Sequence, residues 1–165
     1  MVGQDGAAKR MVIFEDPQCP YCREFEEVSG GLLRSAREGG NLATEYRMRC
    51  FLGVESVRAD NALALAAEEG RFDELRMELF AKQPVEGTGG FTTPDLVALG
   101  QRVGLTSPGF VSGVQEGRYV AWVLRLEETF RKEDPQGTPA AWLDDRPVDG
   151  RVLYDPGALA VLLDL

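Results

Sequence analysis

The sequence predicts an α/β protein with a long all-helical segment inserted between two strand-containing parts. An apolar run, Met11-Val12-Ile13-Phe14, precedes a helical pattern, and residues 42–51 alternate between polar and apolar side chains. Residues 54–134 then keep helical spacing, and the chain ends in a hairpin pattern and a short helix. A hydrophobic period that changes from strand to helix and back in this way is typical of a sheet interrupted by a helical insertion.

Composition places the chain among ordinary globular proteins and excludes several kinds of function. It has 165 residues, of which 44% are apolar and 27% are charged, enough for one domain with a core. The net charge of −9 argues against nucleic acid or anionic membranes as partners. The chain contains no histidine, so catalysis that needs an imidazole is excluded, and thiols and carboxylates are the ionisable chemistry that is left.

The N-terminal part of the chain is predicted to lead into a central strand. Residues 1–8 are small and polar, and we predict a frayed lead-in without the apolar core of a signal peptide. The strand is predicted over residues 9–15, because four consecutive apolar side chains indicate burial on both faces.

Two cysteines three residues apart follow this strand, in the sequence Cys19-Pro20-Tyr21-Cys22. Pro20 and the apolar spacing after it predict a helix that begins at Cys19, kinks at residues 29–31 and ends at residues 39–40. At a helix N-terminus, unpaired N–H groups and the macrodipole lower the pKa of a thiol and favour its thiolate. Cys22 lies one turn further along, where a small adjustment brings it within disulfide distance. The pattern predicts a redox-active pair with Cys19 as the nucleophile.

Three other interpretations of the cysteine pair stay open at this point. Zinc needs about four ligands of the Cys or His type, so a site would have to recruit Cys50 and a carboxylate. A structural disulfide would close so short a loop that it would add little stability. Two unrelated buried thiols are the third interpretation. We expect no metal.

The second strand is predicted over residues 42–51, where side chains alternate between the two faces. One face carries the apolar and small side chains together with Cys50, and the other carries Glu45, Arg47 and Arg49. Cys50 therefore falls on the buried side, where we expect it to act as a small apolar residue without a disulfide.

The helical segment is predicted to break where glycine or proline interrupts its apolar spacing, at Gly70, residues 84–91, Gly104 and Gly117. Two of its helix starts have the pattern of an N-cap followed by proline, Thr93-Pro94 and Ser107-Pro108. The loop at residues 85–90 is rich in glycine but does not join a strand to a helix, so we do not interpret it as a phosphate-binding loop.

The last part of the chain is predicted to form a β-hairpin and a helix. Thr138-Pro139 precedes a hairpin pattern with an apolar strand at residues 140–143, a turn at residues 144–147 and a return at residues 148–150, and Asp155 caps the final helix. From local sequence alone, Thr138-Pro139 has two interpretations, a third helix cap or part of the loop that enters the hairpin.

Two stretches resemble the DsbA-like branch of the thioredoxin superfamily, and the order of elements matches it over nearly the whole chain. They are Phe14-Glu15-Asp16-Pro17-Gln18-Cys19-Pro20-Tyr21-Cys22-Arg23-Glu24-Phe25-Glu26 and Gly137-Thr138-Pro139. The resemblance implies a thioredoxin fold with an inserted all-helical subdomain. Residues 1–53 and 135–165 would form the thioredoxin-like domain, and residues 54–134 the helical insertion.

The resemblance also implies roles for the site residues. Cys19 would form the mixed disulfide with a substrate, and Cys22 would resolve it. Thr138 and Pro139 would be joined by a cis peptide bond and would bind the substrate peptide. Pro139 follows Cys22 by 117 residues, which is too far for plain thioredoxins and glutaredoxins, where one helix and one strand join these features.

Two positions depart from the pattern of many relatives. Ile13 stands where those proteins carry a buried acidic residue that takes the proton of the second thiol, so that relay is missing and Ile13 supplies no negative charge to oppose the thiolate. Glu26, one turn beyond Cys22, is a candidate to take the proton of the second thiol in part, through a water molecule. The other interpretation of Glu26 is a solvated helix carboxylate. Tyr21, which with Pro20 would support the pair, stands where strongly oxidising members often have histidine.

By resemblance we expect a thiol-disulfide oxidoreductase that oxidises dithiols of exported proteins to disulfides. Its partners would be unfolded or partly folded exported proteins and a membrane redox protein that recycles it, and it would act as a monomer without a cofactor. We expect it in the periplasm or cell envelope, with a signal peptide or membrane anchor that is absent from this sequence. Two alternatives stay open, namely an envelope thiol reductase of the same fold and a peptide-binding module with an idle dithiol.

Overall fold

A computed structural model describes residues 1–4, 6–133 and 135–165 of the chain, and these residues form five strands and eight helices. The strands are β1 (Val2–Gly3), β2 (Lys9–Glu15), β3 (Leu42–Met48), β4 (Ala140–Leu143) and β5 (Arg146–Pro147). The helices are α1 (Pro20–Glu38), α2 (Val54–Glu68), α3 (Phe72–Ala81), α4 (Thr93–Arg102), α5 (Pro108–Glu116), α6 (Val120–Lys132), α7 (Gly150–Leu153) and α8 (Pro156–Leu162). The predicted α/β class, with five successive helices between β3 and β4, is confirmed.

The strands form one sheet in the order β1-β3-β2-β4-β5, so the apolar strand β2 lies at its centre. Strand β4 pairs antiparallel with β2, and Ile13 faces Ala141 in the register. Ile13 and Phe14 are fully buried, as the run of four apolar residues predicts. Strand β2 ends at Glu15, so the cysteine pair begins a few residues beyond the end of a central strand.

The prediction of a frayed N-terminus is wrong for its first residues. Strand β1 pairs antiparallel with β3, and Val2 faces Thr44 in the register. A two-residue strand leaves no periodic pattern in the sequence, and its pairing depends on the edge that β3 offers. Residue 5, which the same prediction included, lies outside the described residues.

One compact unit is formed by Met1–Glu15, Tyr21–Arg47 and Pro135–Leu165. Helix α1 is continuous across residues 29–31, so the predicted kink does not interrupt it. The Ser29 hydroxyl donates a hydrogen bond to the carbonyl of Leu153 over 2.6 Å, which joins α1 to α7. The apolar core of this unit consists of Met11, Ile13, Phe25, Leu33, Ala36, Leu42, Ala141, Leu143, Leu153, Leu159 and Leu163.

The second compact unit is formed by Asp16–Pro20 and Met48–Asp134, and it contains helices α2 to α6. These helices are separated at the four predicted interruptions. Ser107 caps α5 as predicted, but Thr92, one residue before the predicted Thr93, caps α4 through a capping box with Asp95. The core consists of Ala59, Ala62, Leu63, Leu65, Ala66, Leu75, Leu79, Phe91, Leu96, Leu105, Phe110 and Val114. That residues 54–134 are an insertion into a thioredoxin-like domain stays a prediction.

The second predicted strand ends earlier than the alternation indicates. Strand β3 stops at Met48, and Arg49 is as buried as Cys50, with exposed fractions of 6% each. The two faces of a strand therefore do not explain the burial of Cys50. Arg49 is buried because its guanidinium makes two hydrogen bonds to the Glu127 carboxylate in α6, over 2.8 and 2.7 Å.

The predicted C-terminal hairpin is present, but its second strand, β5 (Arg146–Pro147), lies within the predicted turn at residues 144–147 and not at residues 148–150. Asp144 and Asp145 have positive φ angles of 47° and 65°, as the tight turn between β4 and β5 requires, and Asp tolerates this conformation. Asp155 caps α8 as predicted, accepting from the N–H of Ala158, whereas the one-turn helix α7 was not predicted. Among the described residues no helix is long and apolar enough to cross a bilayer.

Candidate active site

The two cysteines of the predicted redox pair lie at the start of helix α1. Cys19 directly precedes the helix, and Cys22 is its third residue. Cys19 is 5% exposed and Cys22 is fully buried. Pro20 and Tyr21 between them are exposed, Tyr21 to 62%. The accessible surface of this segment is therefore its middle, Pro20 and Tyr21, with a small part of Cys19.

A tight turn holds Cys19 in place. The N–H of Cys19 donates to the carbonyl of Asp16 over 2.9 Å, and the N–H of Gln18 donates to the Asp16 carboxylate over 2.9 Å. Asp at the first position of a turn and Pro at the second are the preferred residues, because Pro fixes φ and the Asp side chain accepts from the following backbone. The sequence Asp16-Pro17-Gln18-Cys19 thus has the residues that build this turn.

The Asp16 side chain is fully buried and accepts three hydrogen bonds. Its donors are the N–H of Gln18, the hydroxyl of Ser56 at 2.5 Å and the N–H of Leu52 at 3.2 Å. The pKa of Asp16 is raised from its ordinary 3.8 to about 6, because burial and, to a smaller extent, the charge of Cys19 outweigh the lowering effect of these hydrogen bonds. A buried carboxyl that titrates near neutral pH therefore lies beside Cys19.

Gln18, the residue before Cys19, is held by three groups of the helical unit. Its amide nitrogen donates to the Leu52 carbonyl at 3.2 Å and to the Ser56 hydroxyl at 3.0 Å. Its amide oxygen accepts from the N–H of Gly87 at 3.1 Å. The glycine-rich loop at residues 85–90 thus uses a backbone N–H to hold the active-site segment.

Gln83, which follows helix α3, binds the same segment from another side. Its amide nitrogen donates to the carbonyl of Pro17 over 2.8 Å and to the carbonyl of Cys19 over 2.9 Å. Both N–H groups of one amide are therefore used on the two carbonyls that flank Gln18. This clamp fixes the backbone from which the Cys19 side chain projects.

We expect the substitution Gln83→Leu to loosen this segment. It removes one donor from each of two part-buried carbonyls, which costs about 1–3 kcal/mol of stability, and the amide of Cys19 should exchange its hydrogen faster in the native state. Native-state hydrogen exchange and urea unfolding measure both effects. Lys82→Leu, at the exposed neighbouring residue, is the control and should change stability by less than about 0.5 kcal/mol. Equal exchange rates at Cys19 in the two variants would contradict the clamp.

Further acidic groups and Cys50 lie in the same unit. Asp60 in α2 is 4% exposed, and neither of its carboxyl oxygens accepts a hydrogen bond from the described residues. Burial and the charges of Asp16 and Glu127 raise its pKa well above the ordinary value. Burial and the charge of Asp60 raise the pKa of the Cys50 thiol to about 12, so this third cysteine is a thiol at neutral pH.

Glu26, the candidate supporting carboxylate, lies on helix α1 and pairs with Arg34 two turns further along. Gly30 makes room for it, because a Cβ at that position would lie 2.3 Å from a Glu26 carboxylate oxygen. The Glu26 side chain is 11% exposed, so it is not the fully solvated carboxylate of the second interpretation. Its role toward Cys22 stays a prediction.

The Thr138–Pro139 peptide bond is cis, the geometry expected for this bond, and no helix begins there. Both residues are partly exposed and directly precede strand β4. They belong to the unit that contains the sheet, whereas Cys19 belongs to the helical unit. Binding of a substrate peptide by Thr138 and Pro139 stays a prediction.

Comparison with known protein families assigns the chain. A family model described as thioredoxin matches residues 1–157. The chain belongs to the thioredoxin family. No curated protein sequence matches it.

Solved structures show which form of the thioredoxin fold this is. Oxidised BdbD from Bacillus subtilis has a TM-score of 0.85 at 20% identity, covering 99% of this chain and 89% of that one. MdbA, a thiol-disulfide oxidoreductase from Actinomyces oris, has a TM-score of 0.84 at 20% identity, and the match covers 99% of this chain and 85% of MdbA. Reduced DsbG, a disulfide bond oxidoreductase from Mycobacterium tuberculosis, has a TM-score of 0.83 at 22% identity, and the match covers 99% of this chain and 82% of DsbG. The predicted DsbA-like thioredoxin fold with its long helical segment is confirmed.

Two polar residues beside the cysteine pair of this thioredoxin-family chain were not predicted as part of the site. Asp16 lies in the stretch that carries the resemblance, and Asp-Pro three residues before a cysteine is a turn signal that indicates its position. Gln83 carries no such signal, because it is 64 residues from Cys19 in sequence. Ile13 supplies no charge at its position, but Asp16, three residues before Cys19, adds a buried carboxyl that the sequence analysis did not consider.

Proposed function

We propose that the protein is a thiol-disulfide oxidoreductase whose redox pair is Cys19 and Cys22. The observation that supports it most is the fixed position of Cys19, directly before helix α1, on a turn held by Gln83 and Asp16. A helix N-terminus stabilises a thiolate, and a thiolate is both the nucleophile and the better leaving group in disulfide exchange. The similar structures named as oxidoreductases support the same function.

In the oxidising direction the reaction runs through a mixed disulfide. A thiolate of the client protein attacks the Cys19 sulfur, the Cys19–Cys22 bond breaks, and Cys22 leaves with its electron pair and takes a proton. A second client thiol then loses its proton and attacks the client sulfur bound to Cys19. Cys19 leaves as a thiolate, the client has gained a disulfide, and the enzyme has gained two electrons.

The remaining groups of the site have supporting roles in this proposal. Pro20 and exposed Tyr21 form the surface that a client meets beside Cys19. Thr138 and Pro139 bind the client backbone. The clients are unfolded or partly folded exported proteins, and the enzyme works outside the cytoplasm, where disulfides persist. A membrane redox protein reoxidises the dithiol, and the enzyme acts as a monomer without a cofactor.

For an oxidase we expect the reduced protein to be more stable than the oxidised one. The helix N-terminus stabilises the Cys19 thiolate only when the disulfide is open. Thermal unfolding with and without dithiothreitol measures the sign of this stability difference. Each 1 kcal/mol by which reduction stabilises the protein should raise the melting temperature by about 2–4 °C. Cys22→Ser, which cannot form the disulfide, is the control and should not respond to dithiothreitol.

The same experiment separates the oxidase from the reductase. A melting temperature that falls on reduction means that the disulfide stabilises the protein, and the enzyme would then keep client thiols reduced. Asp16 favours that second function, because a carboxylate beside Cys19 opposes the thiolate and so weakens the oxidising power. A peptide-binding module with an idle dithiol would show neither client oxidation nor client reduction.

A further inference from the structure

Asp16 is a buried carboxyl beside the sulfur that changes charge in the proposed reaction. Its side chain is inaccessible to solvent, and its own backbone carbonyl accepts the N–H of Cys19. Three donors fix the carboxylate, so it cannot move without breaking hydrogen bonds to Gln18, Ser56 and Leu52. Asp16 and Cys19 belong to the same turn, and the Asp16 carboxylate is buried, so charges on the two residues act on each other where water screens them little.

This interaction must be reciprocal. The Cys19 charge favours the protonated form of Asp16, so an ionised Asp16 disfavours the Cys19 thiolate by the same free energy. When Cys19 is in a disulfide it carries no charge, and the effect disappears. Asp16 therefore has two affinities for a proton, a higher one in the reduced protein and a lower one in the oxidised protein.

We propose that Asp16 couples the redox state of the Cys19–Cys22 pair to proton binding, taking up a proton when the pair is reduced and releasing it when the pair is oxidised. This proposal rests on the proposed dithiol exchange and extends it. Asp16 acts through Cys19 and is a tuning residue, not a group that touches the client.

The proton balance follows from the reaction with glutathione. Two glutathione thiols reduce the enzyme disulfide and become one glutathione disulfide, and the Cys19–Cys22 bond breaks. Of their two protons, one goes to Cys22, which becomes a thiol, and the other goes to Asp16, while Cys19 becomes a thiolate. At a pH where Asp16 stays ionised, the second proton goes to solvent or to Cys19.

Other charged groups interact with Asp16 and influence the pH at which it takes up a proton. From the segment after β3, the Arg49 guanidinium interacts with the Asp16 charge and Cys50 lies near it as a neutral thiol. From α2, Asp60 interacts with Asp16, and Ser56 donates to it. Burial, together with the charges of Asp16 and Glu127, raises the pKa of Asp60 well above its usual value and so favours its neutral form.

The test compares the glutathione equilibrium of the wild type, Asp16→Asn and Asp60→Asn between about pH 5 and pH 8. Because the pKa of Asp16 is about 6, Asp16 is ionised at the upper end and protonated at the lower end of this range. Asp16→Asn should shift the equilibrium about three- to tenfold toward the reduced enzyme at pH 8, and tenfold corresponds to about 30 mV. The difference between the equilibria of Asp16→Asn and the wild type should shrink toward about pH 5. The equilibrium of Asp60→Asn should change with pH as that of the wild type does.

A second variant and a direct titration keep the proposal testable if Asp16→Asn does not fold. Ser56→Ala removes a bond that lowers the Asp16 pKa, so the drop in oxidising power should begin at higher pH. Infrared titration of the Asp16 carboxyl in the wild type should give a higher pKa in the reduced than in the oxidised protein, and Cys19→Ser should behave like the oxidised one.

Three results would overturn the proposal. One is a difference between the glutathione equilibria of Asp16→Asn and the wild type that is the same at all pH values, because Asp16 would then have only a structural role. Another is a carboxyl titration that does not respond to the redox state. The third is an equal pH response in Asp60→Asn. If instead no variant and no wild type exchanges disulfides with glutathione, the proposed function fails, and the reduced protein can still be compared with Cys19→Ser.

Discussion

Cys19→Ser should lose all disulfide exchange with a reduced, unfolded client protein, down to the rate of a reaction without enzyme. The serine hydroxyl cannot form the mixed disulfide, and the Cys22 thiol that remains is fully buried. Oxidative refolding of a reduced client, followed by quenching of its thiols, measures the rate. Cys22→Ser should behave differently, because it keeps the nucleophile and should accumulate a mixed disulfide at Cys19.

Cys50→Ser is the matched control for this prediction. Cys50 is 6% exposed, and its thiol has a pKa raised to about 12, so we expect it to take no part in exchange. Its variant should oxidise the client at the wild-type rate. Exchange that survives Cys19→Ser but is lost in Cys50→Ser would show that the roles of the cysteines have been assigned wrongly.

Glu127→Ala should destabilise the helical unit strongly, by about 2–3 kcal/mol. The Glu127 carboxylate accepts two hydrogen bonds from Arg49 and one from the N–H of Cys50 at 3.1 Å. Its removal leaves the guanidinium of Arg49, whose side chain is 7% exposed, buried without the carboxylate that it hydrogen-bonds. Urea unfolding monitored by circular dichroism measures the change in the free energy of unfolding.

Two further variants show whether the effect comes from a buried charge. Arg49→Met combined with Glu127→Leu removes both charges and should recover most of the lost stability. Glu27→Ala breaks the exposed pair with Arg23, whose nearest N–O distance is 3.6 Å, and should cost less than about 0.5 kcal/mol. A cost for Glu127→Ala no larger than that for Glu27→Ala would contradict the interpretation of a buried pair.

Local sequence patterns predicted the elements that depend on nearby residues. Strand β2, the start of α1 and the cap at Ser107 each follow from residues within one or two turns of each other. Strand β1 and helix α7 were missed, because each is too short to show a period. The cap of α4 was placed one residue late, since Thr92 and Thr93 are equal candidates until the bond to Asp95 is known.

Local sequence patterns could not predict the polar surroundings of the site. Cys50 was correctly predicted to be buried, but for the wrong reason, because strand β3 ends before it and Glu127 in α6 binds its N–H. The clamp from Gln83 likewise joins residues far apart in sequence. The cysteines could be recognised because their chemistry lies in a short motif, whereas the groups that position and tune Cys19 come from other helices and loops.

Redox titration of the purified protein with glutathione, followed by acid quenching, thiol alkylation and peptide mass spectrometry, tests the proposed redox pair most directly. We expect a single two-electron transition in which the peptide containing Cys19 and Cys22 loses two hydrogen atoms, while Cys50 stays a thiol throughout. A protein in which Cys19 and Cys22 remain thiols across the whole range, or in which Cys50 forms the disulfide, would contradict this assignment.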